Sequence, residues 1–417
     1  MNRKLRFSRR SAVLGAASVA TAGLVGHAGM AAAQDASPVT GTPVGGTPVA
    51  GTPMAGTPIA GNFSRVPLWQ PAWERGLVFG TSLATWQAED PEYLPLVDHE
   101  AAILFTEDDL LWWRLKPAPD APLDFTYGDQ FMDIAEAQGQ LVFAAHLVWD
   151  EGFGEEWTEE DIWGLDEQAA RTLLFGTLEE MVGRYSGRVA GWITVNECID
   201  AHEADGLRRD YPWYETIGPG YVAEAFNLAH ATDPDAVLVL NEFGFETDDE
   251  FDAAADKRKN ALLVIDNLLD ADVPVHALGV QAHLSAADFA ANFDTAAYQQ
   301  FLADVAGRGL KILITEMDVL DDGLPAENAA RDQAVADAYK LYLDTALAEP
   351  AVASVITFGL TDRYTWLQED YPREDGAPRR PLPFDEELQP KPAYDAVYSA
   401  LEGASPRPPL WTPPRSS

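Results

Sequence analysis

The 417-residue sequence predicts an α/β chain closed into a (β/α)8 TIM barrel. Three observations carry that expectation. Eight short runs rich in Val, Ile and Leu recur along the chain, and longer stretches with apolar residues every three or four positions separate them. Nearly every run also stays apolar until its C-terminal end, where it turns polar or aromatic.

Taken in order, the runs are GLVFGTSL (76–83), AAILFT (101–106), QLVFAAHLVW (140–149), VAGWITVNE (189–197), AVLVLNEF (236–243), ALGVQAHLS (277–285), KILITEMDV (311–319) and ASVITFGLTD (353–362). Continuous apolar runs of this length suit strands covered on both faces, as in a parallel sheet. Between them, DQFMDIAEAQG (129–139), DEQAARTLLFGTLEEMVGRY (166–185), DKRKNALLVIDNLLDAD (256–272) and NAARDQAVADAYKLYLDTALAE (328–349) repeat apolar residues at helical spacing. In such a barrel all C-terminal strand ends open on one mouth, where its enzymes place their chemistry. Here those ends carry Glu107 and Asp108, His146 and Trp149, Asn196 and Glu197, Asn241 and Glu242, Gln281 and His283, Glu316 and Asp318, and Asp362.

Composition narrows the partners. With 47% apolar residues and 12 Trp the chain can support a large core. Asp and Glu number 67 against 28 Lys and Arg, a net charge of −39, so nucleic acid and anionic membrane surfaces are repelled and a neutral substrate is favoured. The single cysteine, Cys198, excludes an internal disulfide and reads as a small buried residue. No CxxC or HExxH spacing is present, so neither a metal nor a cofactor is expected. A monomer is the expected state.

The N-terminus points to export. Arg3, Lys4, Arg6, Arg9 and Arg10 precede an apolar Ala-rich run that closes on Ala31, Ala32 and Ala33, and the pair Arg9-Arg10 gives residues 1–33 the look of a twin-arginine signal. The expected location is secreted or extracellular, with attachment to the cell surface left open. No later stretch is long and apolar enough to span a bilayer. Residues 34–62 hold a repeat, GTPVGGTPVAGTPMAGTPIAG, that reads as an extended linker. The catalytic domain is expected over 63–405, and 406–417 reads as a Pro-rich tail.

Glu197 ends the fourth run and Glu316 the seventh, on roughly opposite sides of an eight-strand ring, so their side chains can meet across the mouth. A facing pair of carboxyls is what glycosidic bond cleavage requires: one protonates the leaving oxygen while the other attacks, or activates water toward, the anomeric carbon. His283 is placed to donate to Glu316, and Asn196 to bond a sugar hydroxyl. Trp86, Trp149, Phe358 and Trp366 offer faces for pyranose rings.

Five segments in order then resemble one family. VNE (195–197), NEF (241–243), GVQAHL (279–284), ITEMD (314–318) and PLPFDEELQPKPAYDAV (381–397) are similar to motifs of the glycoside hydrolases of family 10, best known as endo-β-1,4-xylanases. The resemblance runs from about Gly76 to Tyr398. It implies Glu197 as general acid/base, Glu316 as nucleophile, Gln281 and His283 as groups orienting the nucleophile, and Asn196 as a contact beside the scissile bond. It implies retention through a covalent intermediate, with carboxyls about 5–5.5 Å apart. Substrate contacts are expected from Glu107, His146, Trp149, Asp150, Asn241, Phe358 and Trp366.

The chain departs from the family where the glycone is held. EDDLLW (107–112) puts Asp108 and Leu111 at the usual Asn and Lys, and AHLVWD (145–150) puts Ala145 and Asp150 at two usual His positions. Phe358 stands at a usual Trp. Leu111 cannot donate to a hydroxyl and an ionised Asp150 can only accept, and a third carboxylate near Glu316 is expected to raise its pKa or that of its neighbour. The resemblance makes xylan the leading substrate, and these departures put another β-linked glycan or oligosaccharide, cleaved by the same mechanism, next. A non-catalytic carbohydrate-binding protein on the same scaffold is the third reading.

Overall fold

A computed structural model describes residues 65–248, 253–287 and 289–411. The expected export signal and linker lie outside the described residues.

The chain is a closed parallel barrel. Its strands are β1 (Val78–Leu83), β2 (Ile103–Thr106), β3 (Leu141–Ala144), β4 (Gly191–Asn196), β5 (Val237–Glu242), β6 (Ala277–Val280), β7 (His283–Ser285), β8 (Lys311–Leu320) and β9 (Val352–Thr357). Each pairs in parallel with the next in space from β1 to β6; β6 then pairs with β8, β8 with β9, and β9 returns to β1. All eight expected runs form barrel strands, and the four stretches with helical spacing form helices at 126–138, 167–185, 254–270 and 328–346.

One run differs. ALGVQAHLS is not a single strand: Ala282 adopts a left-handed backbone (φ 59) and divides it into β6 and β7. β7 leaves the ring and pairs only with the upper half of β8, setting His283 opposite Asp318. Period-2 alternation cannot foresee such a break, because it is made by the conformation of one residue.

The barrel interior is filled by Val78, Ile103, Phe105, Phe143, Ile193, Val239, Leu313 and Ile356. Outside it, helical faces such as Leu174, Leu178, Met181 and Tyr185 cover the strands. Each such aliphatic or aromatic side chain contributes roughly 1.5–3 kcal/mol when fully buried. The end away from the mouth is closed by residues assigned from sequence to the Pro-rich tail. Buried Trp411 donates its indole N–H to Ala190 O at 3.0 Å and packs with the barrel-interior cluster. Arg407 donates to the carbonyls of Leu347, Glu349 and Val352. The folded unit therefore extends to Trp411, since prolines in 406–409 hide from local pattern a segment held by long-range contacts.

Among the described residues no helix is long and apolar enough to cross a membrane.

Candidate active site

The mouth gathers the polar strand ends, and register decides which of them meet. Asn196 on β4 lies level with Asn241 on β5, and Asn241 with Gly279 on β6. Asn241 Nδ2 donates to Asn196 Oδ1 and to Glu316 Oε1, both at 2.8 Å, while its Oδ1 accepts from Thr315 Oγ1. Gln281 Nε2 donates to Glu197 Oε1 at 2.8 Å and to Asn196 Oδ1 at 3.4 Å. Glu197 and Glu316 are thus the two ends of one hydrogen-bonded chain, Glu197–Gln281–Asn196–Asn241–Glu316, spanning the mouth. Gly279 is required beneath it, because a Cβ there would fall on Asn241 Oδ1.

Glu316, fully buried, sits among donors. Asn241 holds one oxygen, and His283 Nε2 lies 3.5 Å from the other. His283 Nδ1 is 2.9 Å from Asp318 Oδ1, and Asp318 Oδ2 accepts the Trp366 indole N–H at 2.7 Å. Glu316 and Asp318 share a strand face by period-2 alternation, so the imidazole stands between two carboxylates. The main-chain N–H of Glu316 donates to Gln281 O at 3.1 Å.

Glu197 is held differently. It has a left-handed backbone (φ 56), a region costly for a residue with a Cβ unless neighbours fix it. Its N–H donates to Asn241 O at 2.9 Å and its carbonyl accepts from Arg208 Nη1 at 2.7 Å. The Trp149 indole donates to Glu197 Oε2 at 3.1 Å. Asp150 lies beside it, paired with Arg208 through both oxygens at 2.5 and 3.4 Å. Burial pushes the Asp150 carboxyl up to about 6, the nearby Arg208 opposing that rise. Asp150, Glu151 and Glu197 bring carboxylate oxygens within 4.8 Å of one another, but Arg208 already supplies a cation to this group.

Several expectations change here. The side chain of Gln281, paired from sequence with the nucleophile, donates to Glu197, and its main-chain carbonyl accepts from the N–H of Glu316. The added carboxyl of Asp150 lies against Glu197. Asp362 and Glu242 do not face the mouth: Asp362 is bound by Lys391 Nζ at 2.7 Å, and Glu242 by Lys257 Nζ at 3.3 Å and the main-chain N–H of Ile199. For Glu242 the cause is alternation, which sends Asn241 inward and its neighbour outward.

On the β2 side, half-buried Glu107 accepts from Ser82 Oγ at 2.6 Å and Gln87 Nε2 at 3.1 Å, and desolvation pushes it up to about 8. Asp108 accepts the Trp86 indole N–H at 2.9 Å. His146 stacks near Trp149 with ring centroids 4.8 Å apart, and Phe358 lies edge-on to His283 at 5.7 Å. Beside His283 a cavity of ≈ 270 Å³ opens, lined by Phe243, Glu246, Gln281, Asp318, Trp366 and Tyr371 among others.

Sequence reasoning missed Arg208, Thr315 and Glu246 as site residues and noted Asp318 only as a strand end. Asp318 was recoverable, two residues past Glu316 on the same face. Arg208 was not, because it comes from a loop with no periodic signal. Glu246 is a buried carboxyl that burial pushes up to about 7.

The two carboxyls are joined through amides and both accept hydrogen bonds, but Glu197 also has the carboxyls of Asp150 and Glu151 beside it, a difference that favours opposite protonation states. Such a pair can deliver a proton and a nucleophile to one bond.

The profile described as Glycosyl hydrolase family 10 matches residues 68–400. Endo-1,4-beta-xylanase B of Thermotoga neapolitana is 29% identical over 325 residues, spanning 76% of this chain and 86% of that protein. The beta-1,4-xylanase of Dictyoglomus thermophilum is 30% identical over 311 residues, 70% of this chain and 79% of that one. Among solved structures, xylanase 10B from Thermotoga petrophila RKU-1 in complex with xylobiose is similar with a TM-score of 0.70 and 27% identity, covering 82% of this chain and 99% of that chain.

Proposed function

The chain belongs to glycosyl hydrolase family 10, and from that membership we propose that it is a secreted, retaining endo-β-1,4-xylanase with Glu316 as nucleophile and Glu197 as general acid/base. The observation that carries the assignment of roles is the asymmetry of the two ends of the hydrogen-bonded chain. Both carboxyls accept hydrogen bonds, Glu316 from Asn241 and Glu197 from Gln281 and Trp149, but Glu197 also has the carboxyls of Asp150, Glu151 and Glu242 about it, a surplus of negative charge that favours its protonated form.

A Glu316 oxygen attacks the anomeric carbon, the carbon–oxygen bond to the leaving sugar breaks, and the departing oxygen takes the proton from Glu197. The Glu197 carboxylate then removes a proton from water, the water oxygen attacks the same carbon, and Glu316 leaves. Two inversions give retention, and one water is consumed per bond. Asn196 Nδ2, buried without a protein partner, is a donor available to a sugar hydroxyl at this point. Export is supported by the basic and apolar residues 1–33.

Reducing-sugar release from β-1,4-xylan, run beside β-glucan and mannan, tests the assignment. Cleavage of xylan that vanishes in Glu316→Ala supports it. Silence on all three polymers, or activity surviving in the variant, overturns it. A second reading, the same mechanism on another β-linked glycan, is favoured by Leu111 and Asp150, which replace donors with a methyl surface and an anion; activity confined to another polymer would select it.

Two smaller effects follow from the geometry. Glu197 is faced by Trp149, Gln281, Asp150, Glu151, Arg208 and, behind the strand, Glu242. Asp150→Asn removes a negative charge and releases the positive charge of Arg208, and both changes favour ionised Glu197. The alkaline limb of the kcat/KM pH profile should move to lower pH by about half to one unit. Gly279→Ala displaces the Asn241 amide that links both carboxyls, so kcat on xylan should fall on the order of 10²-fold.

A further inference from the structure

Among the described residues, four large apolar side chains are substantially exposed, and three of them are aromatic: Trp86 at 45%, Trp113 at 40% and Tyr127 at 39%. These three belong to a single patch. The Arg114 guanidinium lies 4.5 Å from the Trp113 ring centroid and 4.3 Å from that of Tyr127. It also lies 3.9 Å from Asp108, whose carboxylate accepts the Trp86 indole N–H. One arginine therefore fixes the orientation of two rings and, through Asp108, is linked to a third.

The patch is continuous with the reaction centre. Trp113 N–H donates to Gly152 O at 2.7 Å. A Cβ on Gly152 would touch both Leu111 and the Trp149 ring, so these side chains close around that turn. Trp149 in turn donates to Glu197. From Glu197 outward, the surface runs over Trp149, Leu111 and Gly152 to the exposed rings without a break in the chain of contacts.

Exposed aromatic faces beside fixed charged groups match the surface of a sugar, whose ring C–H bonds present apolar faces and whose hydroxyls bond at the rim. The net charge of −39 disfavours acidic partners and leaves a neutral polymer unaffected. We propose that Trp86, Trp113 and Tyr127, organised by Arg114 and Asp108, form a distal platform that stacks pyranose rings of the same β-1,4-glycan chain whose cleavage is assigned to Glu197 and Glu316. The inference rests on that assignment and deepens it: where the chain carries Leu111 in place of a donor near the centre, grip on the polymer moves outward to stacking.

The test compares kcat/KM on xylohexaose and on xylotriose for the wild type, the double variant Trp113→Ala with Tyr127→Ala, and the conservative pair Trp113→Phe with Tyr127→Phe, with melting temperatures recorded for each. The ratio of the two specificity constants should fall about tenfold in the alanine pair, mainly through KM on the longer chain, and should recover in the phenylalanine pair. Equal losses on both lengths, or an unchanged ratio, would overturn the platform. Failure of the underlying assignment shows differently, as a wild type that turns over neither oligosaccharide; calorimetric binding of xylohexaose and β-1,4-glucohexaose to the same proteins then reads the platform directly, and equal affinities across all three proteins would reject it.

Discussion

Glu316→Ala is expected to lower kcat on β-1,4-xylan by on the order of 10⁴- to 10⁶-fold while leaving the fold in place. The side chain is fully buried, and its partners Asn241 and His283 keep other contacts, to Asn196 and Asp318 respectively. Removing a buried carboxylate also removes its desolvation cost, so loss of stability is not the expected result. The cavity left behind admits a small anion. Azide supplied with an activated aryl xylobioside should restore turnover, and because it attacks from the face Glu316 occupied, the product should be the α-glycosyl azide. NMR of that product reads which face the residue serves, a question that loss of activity alone does not answer.

The second large effect belongs to Glu197, and it should depend on the leaving group. With xylan, whose leaving sugar alkoxide is strongly basic, Glu197→Ala should cost about 10²- to 10⁴-fold in kcat/KM. With a dinitrophenyl glycoside the departing phenolate needs no proton, so bond breaking should be nearly unaffected and hydrolysis of the glycosyl-enzyme should become rate-limiting, seen as a burst. The alkaline limb of the pH profile should disappear as well, since no acid remains to titrate. The Trp149 and Gln281 hydrogen bonds that position the carboxyl would be left without it. A loss of equal size on both substrates would assign Glu197 a structural duty rather than proton transfer.

Much of this organisation was legible in the sequence, for a physical reason. A strand buried on both faces must be apolar throughout and can carry polar groups only where it emerges, so VAGWITVNE and KILITEMDV announce both their strands and their chemistry. Through-space partnership is a different matter. Spacing placed Gln281 and His283 on the correct strand end, but it could not foresee that a left-handed Ala282 would turn Gln281 toward Glu197 and His283 toward Glu316 and Asp318. Nor could it set Asp150 against Arg208, 58 residues later in a loop. The segment ending at Trp411 shows the same limit, since Arg407 is held by carbonyls that only the closed barrel brings to it.

The departures at Leu111, Asp150 and Phe358 leave the carboxyl-to-carboxyl chain untouched and alter what surrounds it. Asp150 is paired with Arg208, so its added negative charge is largely offset by an ion pair behind Glu197. On the proposed assignment chemistry and recognition are separable in this barrel: the first would depend on Asn196, Asn241, Gln281 and the two glutamates, the second on the rim from Trp86 to Tyr127.

Trapping the covalent intermediate identifies the nucleophile directly. A 2-deoxy-2-fluoro xylobioside with an activated leaving group forms the glycosyl ester but hydrolyses slowly, so peptide mass spectrometry of the inactivated protein locates the bond. With Glu316 as nucleophile, a single 2-fluoroxylobiosyl adduct is expected on the peptide containing Glu316, absent from Glu316→Ala. An adduct on Glu197 or elsewhere, or unlabelled protein that still turns over xylan, would contradict it.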